Sequence, residues 1–244
     1  MLEWLLEDMP PDTLVGLDLG ISLPFADRGA FFPGWNESPD DARQLWALVD
    51  RLCTDDPHLA VSRFVDHPQV ARYFRRHGAR EGDLFGTDGA KGGQGRFRTT
   101  EQAQRALGCR PYSNLNLVGA AQVGKSSLSG MRVLNRLAGR LPVWPVDPLP
   151  RAGSALVEIY TTIAALAAGR SAGRSKIRTH HELDAALRNL GSAGFGGDGA
   201  IDDHASDALL TAAWLRTAAH DPALWNPPGL DAVRHTEGWT FGAR

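Results

Sequence analysis

A chain of 244 residues is long enough for one large domain with a substantial core, and its ordinary composition places it among globular proteins. The formal net charge of -2 excludes a global electrostatic pull toward nucleic acid or anionic membrane, so a nucleic-acid partner would need a local basic patch. Cys53 and Cys109 are the only cysteines, which excludes a disulfide framework and a cysteine zinc cluster and fits a reducing cytoplasmic location.

The acidic N-terminus lacks the charged-then-apolar order of a secretory signal. No stretch reaches the roughly 18 uncharged apolar residues that would cross a bilayer, so no membrane partner is expected. Leu2, Trp4, Leu5 and Leu6 read as the last turns of a helix closed by Pro10-Pro11. Leu14 to Ile21 is an apolar run bounded by turn residues, which predicts a buried strand with Asp18 as its one charge. Ser38-Pro39-Asp40-Asp41 opens a helix with a hydroxyl cap and Pro at the first helical position, with Leu45, Leu48, Val49 and Leu52 on its apolar face.

From about His77 to Arg98 the chain is glycine-rich and polar, which predicts a mobile loop. Thr99 with Gln102 predicts a capping box for a short helix ending at Gly108. Asn114 to Val118 alternates as a half-buried strand would, and Ser127 to Leu141 reads as a helix with Met131, Leu134 and Leu137 on one side. Val143–Val146 and Ala155–Tyr160 are two further short strands. Thr179 with Glu182 caps a helix running through Leu190, residues 191–199 form a glycine-rich loop, and Asp202 to His220 is the clearest helix. Glu237 to Gly242 reads as a closing strand or an extended tail. Strands alternating with helices predict one α/β domain spanning 1–244.

Gly119 to Ser126, GAAQVGKS, satisfies the Walker A pattern, in which backbone amides wrap phosphates while Lys125 reaches the terminal phosphates and Ser126 holds magnesium. Val143 to Asp147 offers the acidic strand of such a site. Gly130 is expected to interrupt the helix after one turn and Pro145 suits only an edge strand, which favour a plain strand-to-turn connection instead. Gly16 to Ser22 also resembles the first phosphate loop of actin-like and sugar-kinase-like ATPases, which need two such domains and a longer chain.

Metal-dependent phosphodiester chemistry requires carboxylates converging on one or two magnesium ions. Asp18 is a candidate because a charge in an apolar strand is costly unless paired or metal-bound; the alternative is an Asp capping a turn. Asp203 and Asp207 lie four apart and share a helix face, with Asp202 or Asp203 serving as the N-cap. Glu158, a lone acid in an apolar strand, is either a third ligand or a buried acid paired with an Arg. His204 reads as a solvated residue near a helix start, and His180-His181-Glu182 lacks zinc-helix spacing.

Four stretches together resemble the family of predicted ribonuclease H-like nucleases known as domain of unknown function 429 (DUF429). They are Val15 to Pro24, Leu117 to Met131, Val157 to Tyr160, and Asp203 to Ala213 with Glu237-Gly238-Trp239. The resemblance implies a mixed five-stranded sheet flanked by helices. It brings Asp18, Glu158 and Asp207, with Asp203, to one metal site as catalytic residues, with Asp18, Glu158 and Asp207 the ligands of Mg2+ or Mn2+. Such proteins begin with a three-stranded antiparallel ribbon carrying a leading Asp, and only a helix end precedes Asp18 here. A truncated form or an internal start is therefore expected, with one strand edge left open to self-association.

Three functional readings follow. The first is a metal-dependent nuclease-like hydrolase acting on phosphodiesters, with nucleic acid as partner, or an inactive form of one. The second is a P-loop nucleotide-binding protein, and the third is a non-catalytic fold member with a binding role. Arg72, Arg75, Arg76, Arg80, Arg96, Arg98 and Arg105 supply cations that could meet phosphates, although solvated arginines are commoner.

Overall fold

The computed structural model describes residues 1–78, 80–86, 95–119 and 122–244. After a short π-helical N-terminal segment, Trp4–Asp8, come β1 (Leu14–Leu17), α1 (Ala42–Leu52), α2 (Ser62–Asp66), β2 (Arg75–Arg76) and β3 (Arg80–Glu81). They are followed by α3 (Thr99–Ala106), α4 (Val123–Leu137), β4 (Val143–Trp144), β5 (Ala155–Glu158) and α5 (Thr161–Ala167). The chain closes with α6 (His180–Asn189), α7 (Asp203–Ala218), α8 (Pro222–Trp225) and α9 (Leu230–Val233).

The protein is α/β. Its main sheet is parallel, in the order β1-β5-β4, and β2 and β3 form a separate antiparallel ribbon. The described residues therefore hold a three-stranded parallel sheet rather than the expected mixed one of five strands. β5 is central, and all four of its residues are buried. Because successive strand side chains point to opposite faces, Leu156 joins one apolar cluster and Val157 the other. The first cluster is built with Trp46, Val49, Leu128 and Met131 of α1 and α4, beside Phe32 and Phe64. The second is built with Ile163, Leu187, Leu210 and Trp214 of α5, α6 and α7, beside Phe241. The sheet is thus covered on both faces, as parallel sheets require.

Local chemistry explains where several elements begin. Asp41, not Ser38, caps α1 by accepting from the Gln44 N–H at 2.8 Å, and the Ser38 hydroxyl accepts from the Phe32 N–H at 3.1 Å. The α3 cap is Arg98, whose N–H donates to the Glu101 carboxylate, displacing the expected Thr99–Gln102 pair. The α6 cap is as expected, with Thr179 Oγ1 accepting from the Glu182 N–H at 3.2 Å. α4 starts four residues before the predicted Ser127 and passes through Gly130 without a break. A Cβ there would meet the Leu19 side chain at 2.6 Å, so glycine serves close packing of helix against the post-β1 turn. Asn114 to Val118 is not a sheet strand: it makes one bridge, from Asn116 to Arg75. The closing segment bridges β5 through Thr240 and Glu158. Of the predicted mobile loop, residues 79 and 87–94 lie outside the described residues, while Arg80–Glu81 pairs with Arg75–Arg76.

Candidate functional site

The strand at β1 ends at Leu17, so Asp18 stands at the C-terminal end of a parallel strand rather than in its middle. That end of an α/β sheet is where ligands bind, because loops diverge there and leave a crevice. A cleft of about 560 Å³ runs beside β1, between Leu14, Gly16 and Asp18 on one side and Asp207, Ala208, Thr211 and Leu215 of α7 on the other. His204 and Thr161 also line it, as do Asp12 and Arg216. β1 is the edge strand of the sheet, so one side of its backbone faces away from β5.

Asp18 keeps exposed surface at the cleft mouth, while protein packed around its carboxyl desolvates it. This desolvation, reinforced by the negative charges of Asp207 and Glu158, pushes its pKa up to about 6; Lys176 and His204 pull the other way. Water in the open cleft screens these charges, so the shift signals a reactive environment more than a large stability cost. Its sign is nevertheless defined. The folded state holds this proton more tightly than the unfolded one, so Asp18 favours folding at low pH and that contribution is lost as pH rises through about 6.

Asp207 is three-quarters covered and Asp203 more exposed; Lys176 Nζ lies 3.3 Å from an oxygen of each. Burial works against the Lys176 ammonium, but Asp207 and Asp203 outweigh it and hold its pKa above the ordinary value. Asp202 is the cap of α7, accepting from the Ala205 N–H at 3.0 Å, which leaves Asp203 and Asp207 as the side-chain pair. Thr211 is 2% exposed, lines the same cleft, and its Oγ1 has no hydrogen-bond partner. A buried hydroxyl left in this state is a ready contact for a polar ligand.

Glu158 lines a second, smaller pocket with Asp18 and raises that residue's pKa, but its own oxygens are taken by other partners. Its two oxygens accept from Arg98 at 2.8 and 2.6 Å, from the Ile21 N–H at 2.8 Å and from Thr240 Oγ1 at 2.5 Å. Of the two readings of this residue, the buried acid paired with an Arg is the one the fold realises. Arg98 also donates through Nε to Glu101 at 2.8 Å and through Nη1 to the Glu237 carbonyl at 3.1 Å. Burial opposes the Arg98 charge, but Glu101 and Glu158 outweigh it and raise its pKa; burial in turn raises Glu101. Among the described residues no three His, Cys, Asp or Glu side chains converge as a metal cluster.

Glu237, read from sequence only as part of the closing segment and its Glu-Gly-Trp stretch, has a structural role that reading missed. It is fully buried and accepts from the Phe25, Ala26 and Thr99 N–H groups at 2.7, 2.8 and 2.6 Å, tying the C-terminal segment to the post-β1 loop and to α3. The chain was compared with known family models, curated proteins and solved structures. It matches none of them.

The Walker-like stretch is differently built from a phosphate cradle. The Gly124 N–H donates to Asn116 O and the Lys125 N–H to Gln122 O, both at 3.1 Å, so these amides are already used. A Cβ on Gly124 would strike the carbonyls of Asn114 and Asn116, which makes this glycine a packing residue. Ala120 and Ala121 lie outside the described residues. Asp147, the proposed acidic partner, accepts from the Val143 N–H at 2.9 Å and pairs with Arg43. Both thiols are buried and pushed upward in pKa by that burial, Cys53 to about 11, which leaves them poor nucleophiles.

Proposed function

We propose that this chain is a ribonuclease H-like protein of nuclease type, acting on phosphodiesters in the cleft between β1 and α7. Asp18 and Asp207 carry the chemistry in this reading. The observation that supports it is a carboxylate with raised proton affinity at the C-terminal end of a parallel strand, facing a second carboxylate across a cleft.

Among the described residues there is no cage for a resident ion, since Glu158 is spent on Arg98 and no third ligand converges. They do suit magnesium or manganese arriving with its substrate. Magnesium keeps several waters and takes one or two carboxylates together with substrate phosphate oxygens. Asp18 and Asp207 would hold such an ion, which supplies an activated water and charge stabilisation at the leaving oxygen. Of the chain's own groups, Lys176 must release Asp207 when a stronger cation binds. Thr211 Oγ1 is buried beneath the cleft without a partner and would meet a phosphoryl oxygen only if the cleft opens, while His204 is exposed on the cleft wall.

The test is cleavage of single-stranded and duplex DNA and RNA with magnesium or manganese, by wild type and Asp18→Asn. The proposal expects metal-dependent cleavage that falls at least about a hundredfold in the variant, the scale of a lost essential group in catalysis. Cleavage equal in both proteins would remove Asp18 from the mechanism, and no cleavage of any substrate by wild type would remove the activity. The P-loop reading gains less support, because the Gly124 and Lys125 amides, two of those that would wrap a phosphate, are engaged within the chain.

A further inference from the structure

A second cavity, of about 380 Å³, opens away from the carboxylate cleft, between α2, the β2–β3 ribbon and the first turns of α4. Its polar lining is dominated by basic side chains, Arg76, His77, Arg80 and Lys125, with Ser62 and Ser129 supplying hydroxyls and Asp66 the one acid. Of the seven arginines from Arg72 to Arg105, most are occupied. Arg72 pairs with Asp83, Arg75 with Glu81, Arg96 with Asp27, Arg98 with Glu158, and Arg105 lies over the Phe97 ring.

Two cations of the cavity are differently placed. Arg80 makes only a donation from Nε to the His77 carbonyl at 3.2 Å, and no carboxylate pairs with it among the described residues. Lys125 Nζ stands 2.6 Å from His77 Nε2. An ammonium has only donors, so His77 is the acceptor in this contact, and two basic groups share one spot with no acid between them. Arg76 is neutralised on one side by Asp66 at 2.9 Å, yet its Nε is buried without a partner.

Charge counting selects the ligand. Among the described residues, with Arg76 offset by Asp66, Lys125 and Arg80 leave two positive charges without a carboxylate partner. A carboxylate would satisfy one guanidinium and leave the rest. A phosphate group at neutral pH carries between one and two negative charges and three acceptor oxygens, which match Lys125, Arg80 and the partly exposed Arg76 side chain. We propose that this cavity binds a phosphate group, held by the side chains of Lys125, Arg80, His77 and Arg76 and not by the backbone of the Gly119–Ser126 stretch. The site is separate from the proposed nuclease cleft, and neither stands or falls with the other.

The experiment is calorimetric titration of the full chain with inorganic phosphate at constant ionic strength, with chloride as the control salt. Wild type, Lys125→Ala, Arg80→Ala and Ser126→Ala are compared; all three positions have solvent-accessible side chains, and far-ultraviolet circular dichroism checks their fold. Saturable phosphate binding is expected, weakened about tenfold or more in Lys125→Ala and Arg80→Ala, as loss of one charge-assisted contact implies. Ser126→Ala is expected to bind as wild type, whereas a nucleotide cradle would lose affinity with it. No saturable binding by wild type, or equal affinity in wild type and both cation variants, overturns the proposal. Parallel titrations with ADP and with a short single-stranded DNA then identify the source: the arm that binds more tightly than free phosphate, and loses that gain in Lys125→Ala, carries the natural group.

Discussion

Arg98→Met removes the cation on which the centre of the molecule is hung. The side chain is 2% exposed and makes four donations: two to Glu158, one to Glu101 and one to the Glu237 carbonyl. Removing one member of a buried pair leaves its partner charged and uncompensated, which costs about 3–5 kcal/mol. Two carboxylates lose their partner here. Glu158 keeps the Ile21 N–H and Thr240, and Glu101 keeps the Arg98 backbone N–H, so the loss stays in that range rather than doubling. Against a typical total stability of about 5–15 kcal/mol, this is a large fraction. Urea unfolding followed by circular dichroism measures it at pH 7 and pH 5. Without the arginine both carboxylates bind protons more tightly folded than unfolded, so the deficit must shrink as pH falls toward 5. The triple variant with Glu101→Gln and Glu158→Gln should regain most of the loss, because no charge is then stranded. A deficit under about 1 kcal/mol at pH 7, or one that grows toward pH 5, would refute the reasoning.

Other outcomes follow from the same contacts. Asp207→Asn deletes a charge that raises Asp18, so the Asp18 carboxyl, followed by carbon NMR, should titrate below its wild-type midpoint. Lys176→Met deletes a charge that lowers it and should move the midpoint upward; opposite or absent shifts would show that α7 does not face Asp18 as described. Gly124→Ala places a Cβ about the Asn114 and Asn116 carbonyls, the latter at 2.8 Å, and should cost about 1–3 kcal/mol in urea unfolding. Phosphate binding by that variant is a weaker probe, since the glycine serves packing.

Much of the fold was legible because it rests on local chemistry. α6 and α7 begin at Thr179 and Asp202, whose side-chain oxygens cap the free amides of the first turn, and that signal needs no tertiary information. The apolar runs at Leu14 and Ala155 announced strands, of which β5 is buried throughout and β1 only at Val15, and Pro145 lies just beyond β4, an edge strand. What failed depended on distant partners. Gly130 reads as a helix breaker in isolation, yet the cost of its flexibility is offset by packing against Leu19, 111 positions away in the sequence. Asn114 to Val118 alternates like a strand but pairs with only one residue, Arg75, because its other groups turn into α4.

The candidate site divides along the same line. Asp18 and Asp207 were visible as acids in costly positions, and both face the cleft. Glu158 carried the same signal and turned out to be neutralised by Arg98, which lies sixty positions earlier in sequence. A buried acid looks alike from sequence whether a metal or a guanidinium compensates it. Asp203 lies one turn before Asp207 and shares Lys176 with it, a pairing that helical spacing alone could anticipate for the acids but not for the lysine.

The most direct test of the cleft is where a metal ion settles. Manganese added to isotope-labelled protein, together with a short single-stranded oligonucleotide, broadens NMR signals near the ion. The predicted result is selective broadening around Asp18, Asp207 and Thr211, abolished by Asp18→Asn. Broadening centred elsewhere, or unchanged in that variant, would contradict the assignment of this cleft as the functional site.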